Sequence, residues 1–271
     1  MRRASQALVL ATVLIGLAAC SSASVPEPKP SLAALGSENV TATLGALDTT
    51  NLLIGDAIPL TASVELSGKR TDKIVLRIEQ SSDGLTWSTV DEVKEAGPTA
   101  ALEANATAEL AGPLQFRATA VSANKKADTL TSSEPQEAVV ADIQQLVRTF
   151  YYDLTQAYQT DTQTGITFDE QHNYPGFVDF QSQGWLDRNA LFLEAAASES
   201  MVPAVTTISP DPTWMMPAGP CNAAQTEPPT GRTFIVSVDT TYSWNGFPET
   251  TKMDVHVTFL DGELHHWVAC S

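Results

Sequence analysis

Residues 132–160, SSEPQEAVVADIQQLVRTFYYDLTQAYQT, contain the point at which the chain changes period. Up to Val140 the apolar residues follow the short alternations of a β-rich segment. Beyond it Ile143, Leu146, Val147, Phe150, Tyr151, Leu154 and Tyr158 recur at steps of three and four. That spacing predicts one broad apolar face on a helix of about five turns, and such a face needs a sheet to lie against. The chain therefore divides near residue 140, into a β module over 38–138 and a helix-plus-sheet part over 139–271. The passage is short enough for the last strand to run almost straight into the helix, which would limit relative motion of the two parts.

Upstream, alternating stretches are separated by turn residues: NVTATLG (39–45), IPLTASVEL (58–66), DKIVLRIEQ (72–80), TWSTVDEV (86–93), ALEANATAEL (101–110), LQFRATAVSA (114–123) and TLTSSEPQEAVV (129–140). Six or seven short strands at such spacing indicate a sandwich. Ile74, Leu76 and Ile78 should face the core, with Val75, Arg77 and Glu79 outward; Phe116, Ala118 and Ala120 should point inward. Ser82, Asp83 and Gly84 form a turn signal. QSSDGLTWSTV (80–90), followed by LQFRATAVSA, resembles the immunoglobulin-like or fibronectin type III-like modules of bacterial surface proteins. The resemblance implies that Trp87 is the core aromatic, with a surface anchor for a ligand as the alternative. The segment has no cysteine, so no disulfide crosses it, and modules of this type serve as spacers or as binding domains.

Downstream, TFIVSVDTTYSW (233–244), TKMDVHVTFL (251–260) and ELHHWVACS (263–271) read as an antiparallel meander. Phe234, Val236, Val238 and Tyr242 share one side, as do Met253, Val255, Val257 and Phe259. Asp261–Gly262 is a hairpin signal. With FYYDLTQAYQTDTQTGITF (150–168) as opening helix, short polar turn and further helix, this part resembles NTF2-like lipoproteins of actinobacteria. The fold class expected is thus an all-β immunoglobulin-like sandwich followed by an α+β NTF2-like domain, a cone-shaped helix and curved antiparallel sheet. The proline-rich stretch from Ser182 to Pro229, with ISPDPTWMMPAGP and EPPTG, departs from that pattern.

At the N-terminus, MRRASQALVLATVLIGLAAC places two arginines before an apolar run, Ala7 to Ala19, that is too short to span a membrane and suits a secretory signal. Leu17, Ala18, Ala19 and Cys20 resemble the lipobox of bacterial lipoproteins, which implies cleavage before Cys20 and diacylglycerol on its thiol. Residues 1–19 are then a signal peptide and 20–37 a lipidated tether, its SSASVPEPKPS too polar and proline-rich to pack. The expected location is lipid-anchored at the outer face of the cytoplasmic membrane, extracytoplasmic. A formal net charge of −17 argues against nucleic acid and against adsorption to anionic lipid, so the membrane partner would be reached through covalent lipid.

With Cys20 lipidated, Cys221 and Cys270 remain. In an oxidising compartment they should pair, closing a loop of about 50 residues worth roughly 4 kcal/mol; free or catalytic thiols are the alternatives. No nucleotide-binding or nucleophile-elbow motif occurs, and no cofactor is expected. NTF2-like members of the ketosteroid-isomerase type place an acidic or histidine base in their pocket. Here Asp153 and Asp169 lie in the corresponding part of the chain, but a solvent-facing helix residue and a turn carboxylate account for them. All four histidines, His172, His256, His265 and His266, fall in this part. Asp254, His256 and His266 are weak metal candidates without a recognised ligand spacing, and surface histidines are the simpler reading. Tyr174, Phe177, Phe180, Trp185, Trp214, Met215 and Met216 form the candidate ligand surface, the alternative being a core under long loops. The expectation is an envelope lipoprotein with a binding or structural role toward envelope proteins or a small apolar ligand. A ligand carrier or sensor, and a small hydrolase or isomerase, are the rivals; the last requires a buried carboxylate or histidine of perturbed pKa in a cavity.

Overall fold

The computed structural model describes residues 40–67, 73–96, 99–123, 129–176, 202–219, 223–244 and 247–267. The signal, Cys20 and the tether, Cys221 and Cys270, and Phe177, Phe180 and Trp185 lie outside the described residues, as does the Tyr242 side chain. No helix among the described residues is long and apolar enough to cross a membrane. The described residues are mostly β, with several antiparallel sheets, one of them a curled half-barrel, and two helices.

The first part contains β1 (Val40–Leu44), β2 (Leu52–Leu53), β3 (Ala57–Leu66), β4 (Lys73–Ser81), β5 (Ser88–Ala96), β6 (Thr99–Thr107), β7 (Gly112–Ser122), β8 (Thr129–Ser132) and β9 (Gln136–Ala141). One sheet has the order β1-β3-β6, the other β2-β9-β7-β4-β5 with β8 on β7. All these pairings are antiparallel except β2 on β9. Ile58, Leu60, Ala62, Val64 and Leu66 alternate inward along β3 and meet Ile74, Leu76, Ile78, Phe116, Ala118 and Ala120 of the other sheet in one core, as period-2 side-chain placement requires.

Two expectations fail here. Val75 is buried on the face opposite Ile74 and Leu76, so β4 is covered on both sides at that level. Trp87 is only partly buried and stands outside the core; it ends the turn before β5, and the Arg117 guanidinium lies 4.0 Å over its ring. Arg117 points outward because its neighbours Phe116 and Ala118 point in, so a ring stacked on it is at the surface. Phe116, with no exposure, is the core aromatic. In the turn itself Asp83 accepts from the backbone N–H of Thr86 and of Leu85 and from Ser81 Oγ, which lowers its pKa to about 2.

The second part follows without a linker. Ala141 ends β9, Asp142 caps the next helix by accepting from Gln144 and Gln145 N–H, and α1 (Ile143–Thr160) begins. α2 (Thr162–His172) starts at once, its cap Asp161 accepting from Thr164 N–H. Then come β10 (Val202–Pro210), β11 (Arg232–Trp244), β12 (Phe247–Leu260) and β13 (Glu263–His266), in sheet order β10-β11-β12-β13. Asp261 and Gly262 take φ of 52° and 86°, both positive, as a two-residue hairpin of this hand demands. Val147, Phe150 and Tyr151 of α1 pack on Phe234, Val236, Val238, Val257, Phe259 and Leu264. Met253, expected on that side, is 37% exposed, because the helix-facing core on β12 runs only from Val255 to Phe259 and residues 247–254 extend past it.

Residues 35–271 form one compact unit, and the joint between its two cores is specific. Leu53 of β2, 3% exposed, belongs to the second core, and Ile54 N–H donates to Ala141 O at 3.1 Å. The Asp56 carboxylate accepts from Leu53 N–H at 2.8 Å and pairs with Arg232 at the start of β11. Because one carboxylate serves both, Asp56→Ala should lower unfolding free energy by about 1–3 kcal/mol and Arg232→Ala by less, since the Leu53 bond survives. Urea titration of both variants checks this; equal losses would mean that the ion pair alone matters.

Candidate functional site

Strand alternation separates the second part into two chemically different faces. The β12–β13 register pairs Val257 with His266 and Thr258 with His265. His266 therefore faces α1 and α2 together with Leu264, while His265 and Trp267 share the outer face with His256 and Thr258.

On the inner face, Asp169 is 4% exposed. It reaches the interior because Gly165, Ile166 and Asp169 lie on one side of α2. Tyr158 of α1 donates its hydroxyl to Asp169 Oδ2. His266 Nε2 lies 3.2 Å from both Asp169 Oδ1 and the Asp169 carbonyl oxygen. Phe150 meets the His266 ring edge-on at 5.2 Å, and Phe168 stacks on His172 at 4.0 Å. Burial raises the Asp169 pKa to about 7, against the hydrogen bond from Tyr158 and with help from Glu170. Burial lowers His266 to about 4, opposed by its bond to the Asp169 carbonyl and reinforced by His172 and His265. Burial and the Asp169 charge push the Tyr158 and Tyr151 hydroxyls far above the ordinary phenol range. Asp169 is thus no turn carboxylate; Asp153, by contrast, is exposed on α1 as expected.

A carboxyl that holds its proton near neutrality has the chemistry of a general acid, but both its oxygens already have partners. Among the described residues Val147, Phe150 and Tyr151 of α1 pack directly on the apolar face of the sheet. An open groove of about 460 Å³ lies beside Tyr151, Tyr152 and Val205.

The outer face carries the other cluster. Residues 211–219 pass over the sheet, and Trp214 lays its ring on His256, centroids 4.2 Å apart and planes 14° apart. Its second neighbour is Trp267, edge-on at 4.9 Å; Trp267 in turn stacks on Tyr174 at 4.1 Å. Trp267 Nε1 donates to Thr258 Oγ1 at 2.9 Å, and that hydroxyl is 2.9 Å from Thr233 Oγ1. His256 Nε2 lies 3.2 Å from Asp211 Oδ2. Tyr174 is fixed by its N–H to His266 O at 3.0 Å and its hydroxyl to Thr230 O at 3.2 Å. Gln225 holds the passing segment through reciprocal bonds with Met216, from its N–H to Met216 O and from Met216 N–H to its Oε1.

Of the candidate ligand surface, Tyr174 and Trp214 are brought together, Met216 is buried at 4% exposure and Met215 is 44% exposed. Trp267 and Asp211 were missed. Trp267 was detectable, because it alternates with His265 away from Leu264 and His266; Asp211, inside a proline-rich stretch, carried no such signal. The weak metal candidates are split: Asp254 and His256 are on the outer face, His266 on the inner. Asp254 is engaged by Ser237 Oγ at 2.6 Å. Among the described residues no group of three or more His, Cys, Asp or Glu could hold a metal ion.

No family model and no curated protein matches the chain. Among solved structures it is similar to a β-glucosidase from Listeria innocua in complex with glucose, at 12% identity over 38% of this chain and 16% of that one, TM-score 0.29. It is also similar to the CARDB domain of a Pyrococcus furiosus protein in complex with di-metal ions, at 12% identity over 42% of this chain and 99% of that one, TM-score 0.27. A third is the alkylpurine DNA glycosylase AlkC of Pseudomonas fluorescens bound to DNA, 11% identical over 36% of this chain and 30% of that one, TM-score 0.27. The chain spans about 16% of the length of the β-glucosidases. Likenesses this distant have no bearing on activity.

Proposed function

We propose that this chain is a lipid-anchored, extracytoplasmic envelope protein with a binding role, made of an immunoglobulin-like module and an NTF2-like domain, and that it binds through the outer face of the four-stranded sheet. The lipobox-like LAAC ending at Cys20 supports the anchor. The strand order β1-β3-β6 against β5-β4-β7-β9 supports the immunoglobulin-like reading, since it follows the A-B-E and C′-C-F-G order of such sandwiches. A helix laid across an antiparallel sheet supports the NTF2-like reading. The binding role rests on one observation: Tyr174, Trp267, Trp214 and His256 form a continuous run of rings in contact, two pairs stacked and the middle pair edge-on, on the sheet face turned away from α1. Among the described residues no helix packs on that face, and aromatic residues are enriched where proteins bind their partners.

Native mass spectrometry of the full-length protein, released from its own membranes in mild detergent, tests this. Wild type should retain a bound molecule or partner that Trp214→Ala loses, and its Cys20 should carry diacylglycerol. Identical spectra for the two proteins would sink the binding face, and retention of residues 1–19 would sink the anchor.

An isomerase or hydrolase built on Asp169 is the second reading, favoured by the raised pKa of a buried carboxyl. The engagement of both its carboxylate oxygens, by Tyr158 and His266, makes a structural role the stronger account.

A further inference from the structure

We infer that the pole of the sandwich at which the chain enters is a docking surface for anionic lipid headgroups, so that the module stands on the bilayer and carries the second part at its far end; this rests on the anchor reading above. The register fixes which residues share that pole. Val40, the first residue of β1, pairs with Leu66, and Glu65 pairs with Thr99. Lys73 pairs with Ala96, Ile74 with Ser122 and Val121 with Thr129. Residues 97 and 98 alone separate β5 from β6, so the two sheets end together there. The opposite pole holds the pairs Ala57–Thr107, Gln80–Ser88 and Gly112–Val140, and from it β9 runs into α1. The ten residues of β3, at about 3.3 Å each, set the two poles about 30 Å apart.

Charge is distributed unevenly between them. Lys73 and Lys94 are exposed at the entry pole. Lys69, Arg70, Lys125 and Lys126 belong to the connections 68–72 and 124–128, which lie outside the described residues but leave and rejoin strands at this pole. Six of the chain's 15 lysines and arginines therefore belong here, against Glu38, Glu65, Asp72, Glu95 and Asp128. The opposite pole has Asp48, Asp56, Asp83 and Glu109 and no lysine or arginine of the module beside them; the cation that meets Asp56 is Arg232 of β11. Residues 139–271 add 16 acids and 4 bases. The net charge of −17 thus repels the rest of the unit from an anionic surface, whereas at the entry pole bases and acids are nearly even. A plane of negative charge can touch that pole alone: its headgroups reach the lysine ammonium groups while the acidic remainder stays beyond the screening length, about 8 Å at physiological ionic strength. A long flexible polyanion has no such restriction and would meet the acidic groups as well.

Lysine acetylation of the full-length, diacylated protein on vesicles, read residue by residue by mass spectrometry, tests this. Vesicles of phosphatidylglycerol and phosphatidylcholine are compared with vesicles of phosphatidylcholine alone. Lys73 and Lys94, with Lys69, Lys125 and Lys126, should react about fivefold more slowly on the anionic vesicles, and the difference should vanish at about 0.5 M salt. Lys252 is the internal control, since its Nζ lies 3.6 Å from Asp239 as that of Lys94 lies 3.6 Å from Glu92; it should react equally fast on both. Exchanging two exposed cations for anions, Lys73→Glu with Lys94→Glu, should remove most of the protection at the remaining three lysines with unchanged thermal stability, and Lys252→Glu should leave it intact. If the protein floats with the vesicles but the entry-pole lysines react alike on both lipids, or if Lys252 is the protected one, the docking surface is wrong and the anchor stands. If the protein does not float with either vesicle, the anchor reading fails and this inference with it.

Discussion

Gly165→Ala should destabilise the folded chain by about 3 kcal/mol or more, although alanine is the better helix former by about 1 kcal/mol. Gly165 sits in the first turns of α2 against the Tyr158 ring, and a Cβ there would come within 2.2 Å of Tyr158 Cδ1 and 2.3 Å of Cγ. A ring at the end of a flexible side chain could move aside, but Tyr158 is 1% exposed and its hydroxyl is held by Asp169. Relief therefore requires α2 to lift from α1, which takes Asp169 out of reach of both Tyr158 and His266. Thermal and urea unfolding measure the loss. In a Tyr158→Leu background the obstructing ring is gone, and the added cost of Gly165→Ala should shrink to near zero. A full penalty retained in that background would show that the clash lies elsewhere.

The elements that were legible in the sequence are those in which one side of the element is buried over several residues. β3 alternates without a break, and α1 repeats at three and four from Ile143 to Tyr158; in both, burial imposes the period directly. β2 has two residues, too few to show a period, yet it places Leu53 in the second core. β10, VPAVTTISP, has a register shift between Val205 and Thr207 and no buried residue, so its pattern is broken where the strand is. α2 is polar apart from Ile166 and Phe168; only the resemblance to NTF2-like lipoproteins suggested further helix there.

The buried acid was illegible for a related reason. Asp169 is inside because of its partners, not because of its neighbours in sequence, and those partners come from α1 and β13. The same holds for the aromatic run: Trp214, Trp267 and Tyr174 are far apart in the chain, and only the β12–β13 register brings Trp267 beside His256. Trp87 was misassigned in the opposite sense. A tryptophan between two strands reads as core by composition, but Arg117 on the neighbouring strand offers a guanidinium to its face, and that interaction works at the surface.

The Asp169–His266 pair should leave a recognisable mark on stability as a function of pH, with two opposing slopes that separate in the single variants. Asp169 has its folded-state pKa raised from 3.8 to about 7, so between those values the native state holds a proton that the unfolded chain has released. Stability from this group is complete below pH 3.8 and falls as pH rises toward 7, at up to about 1.4 kcal/mol per unit. His266 has its pKa lowered from 6.5 to about 4, so in that interval the unfolded chain binds the extra proton. Its contribution is complete above pH 6.5 and is lost as pH falls toward 4. Between pH 4 and 6.5 the two slopes nearly cancel, and above 6.5 only the Asp169 slope remains. The groups facing the pair are Tyr158 and Tyr151 of α1, His172 and Glu170 of α2, and His265 of β13. Of these the two phenols stay protonated throughout, and His265, whose pKa burial also lowers, contributes a slope of the same sign as His266 that is common to all three proteins. Asp169→Asn should therefore give a stability that, relative to wild type, rises with pH from 4 to about 7. His266→Gln should give one that, relative to wild type, falls with pH from 4 to about 6.5 and is flat above it. Urea unfolding of the three proteins at half-unit steps from pH 4 to 8 reads these differences directly, and the general titration of the many surface carboxylates cancels in the comparison. If both variants ran parallel to wild type, the carboxyl and the imidazole would be titrating as ordinary exposed groups, and α2 could not be docked as described. If the variants diverge in the stated senses, one proton held between an acid and an imidazole keeps α1, α2 and the last strand together, which is why a carboxyl with the pKa of a catalytic acid serves the fold here.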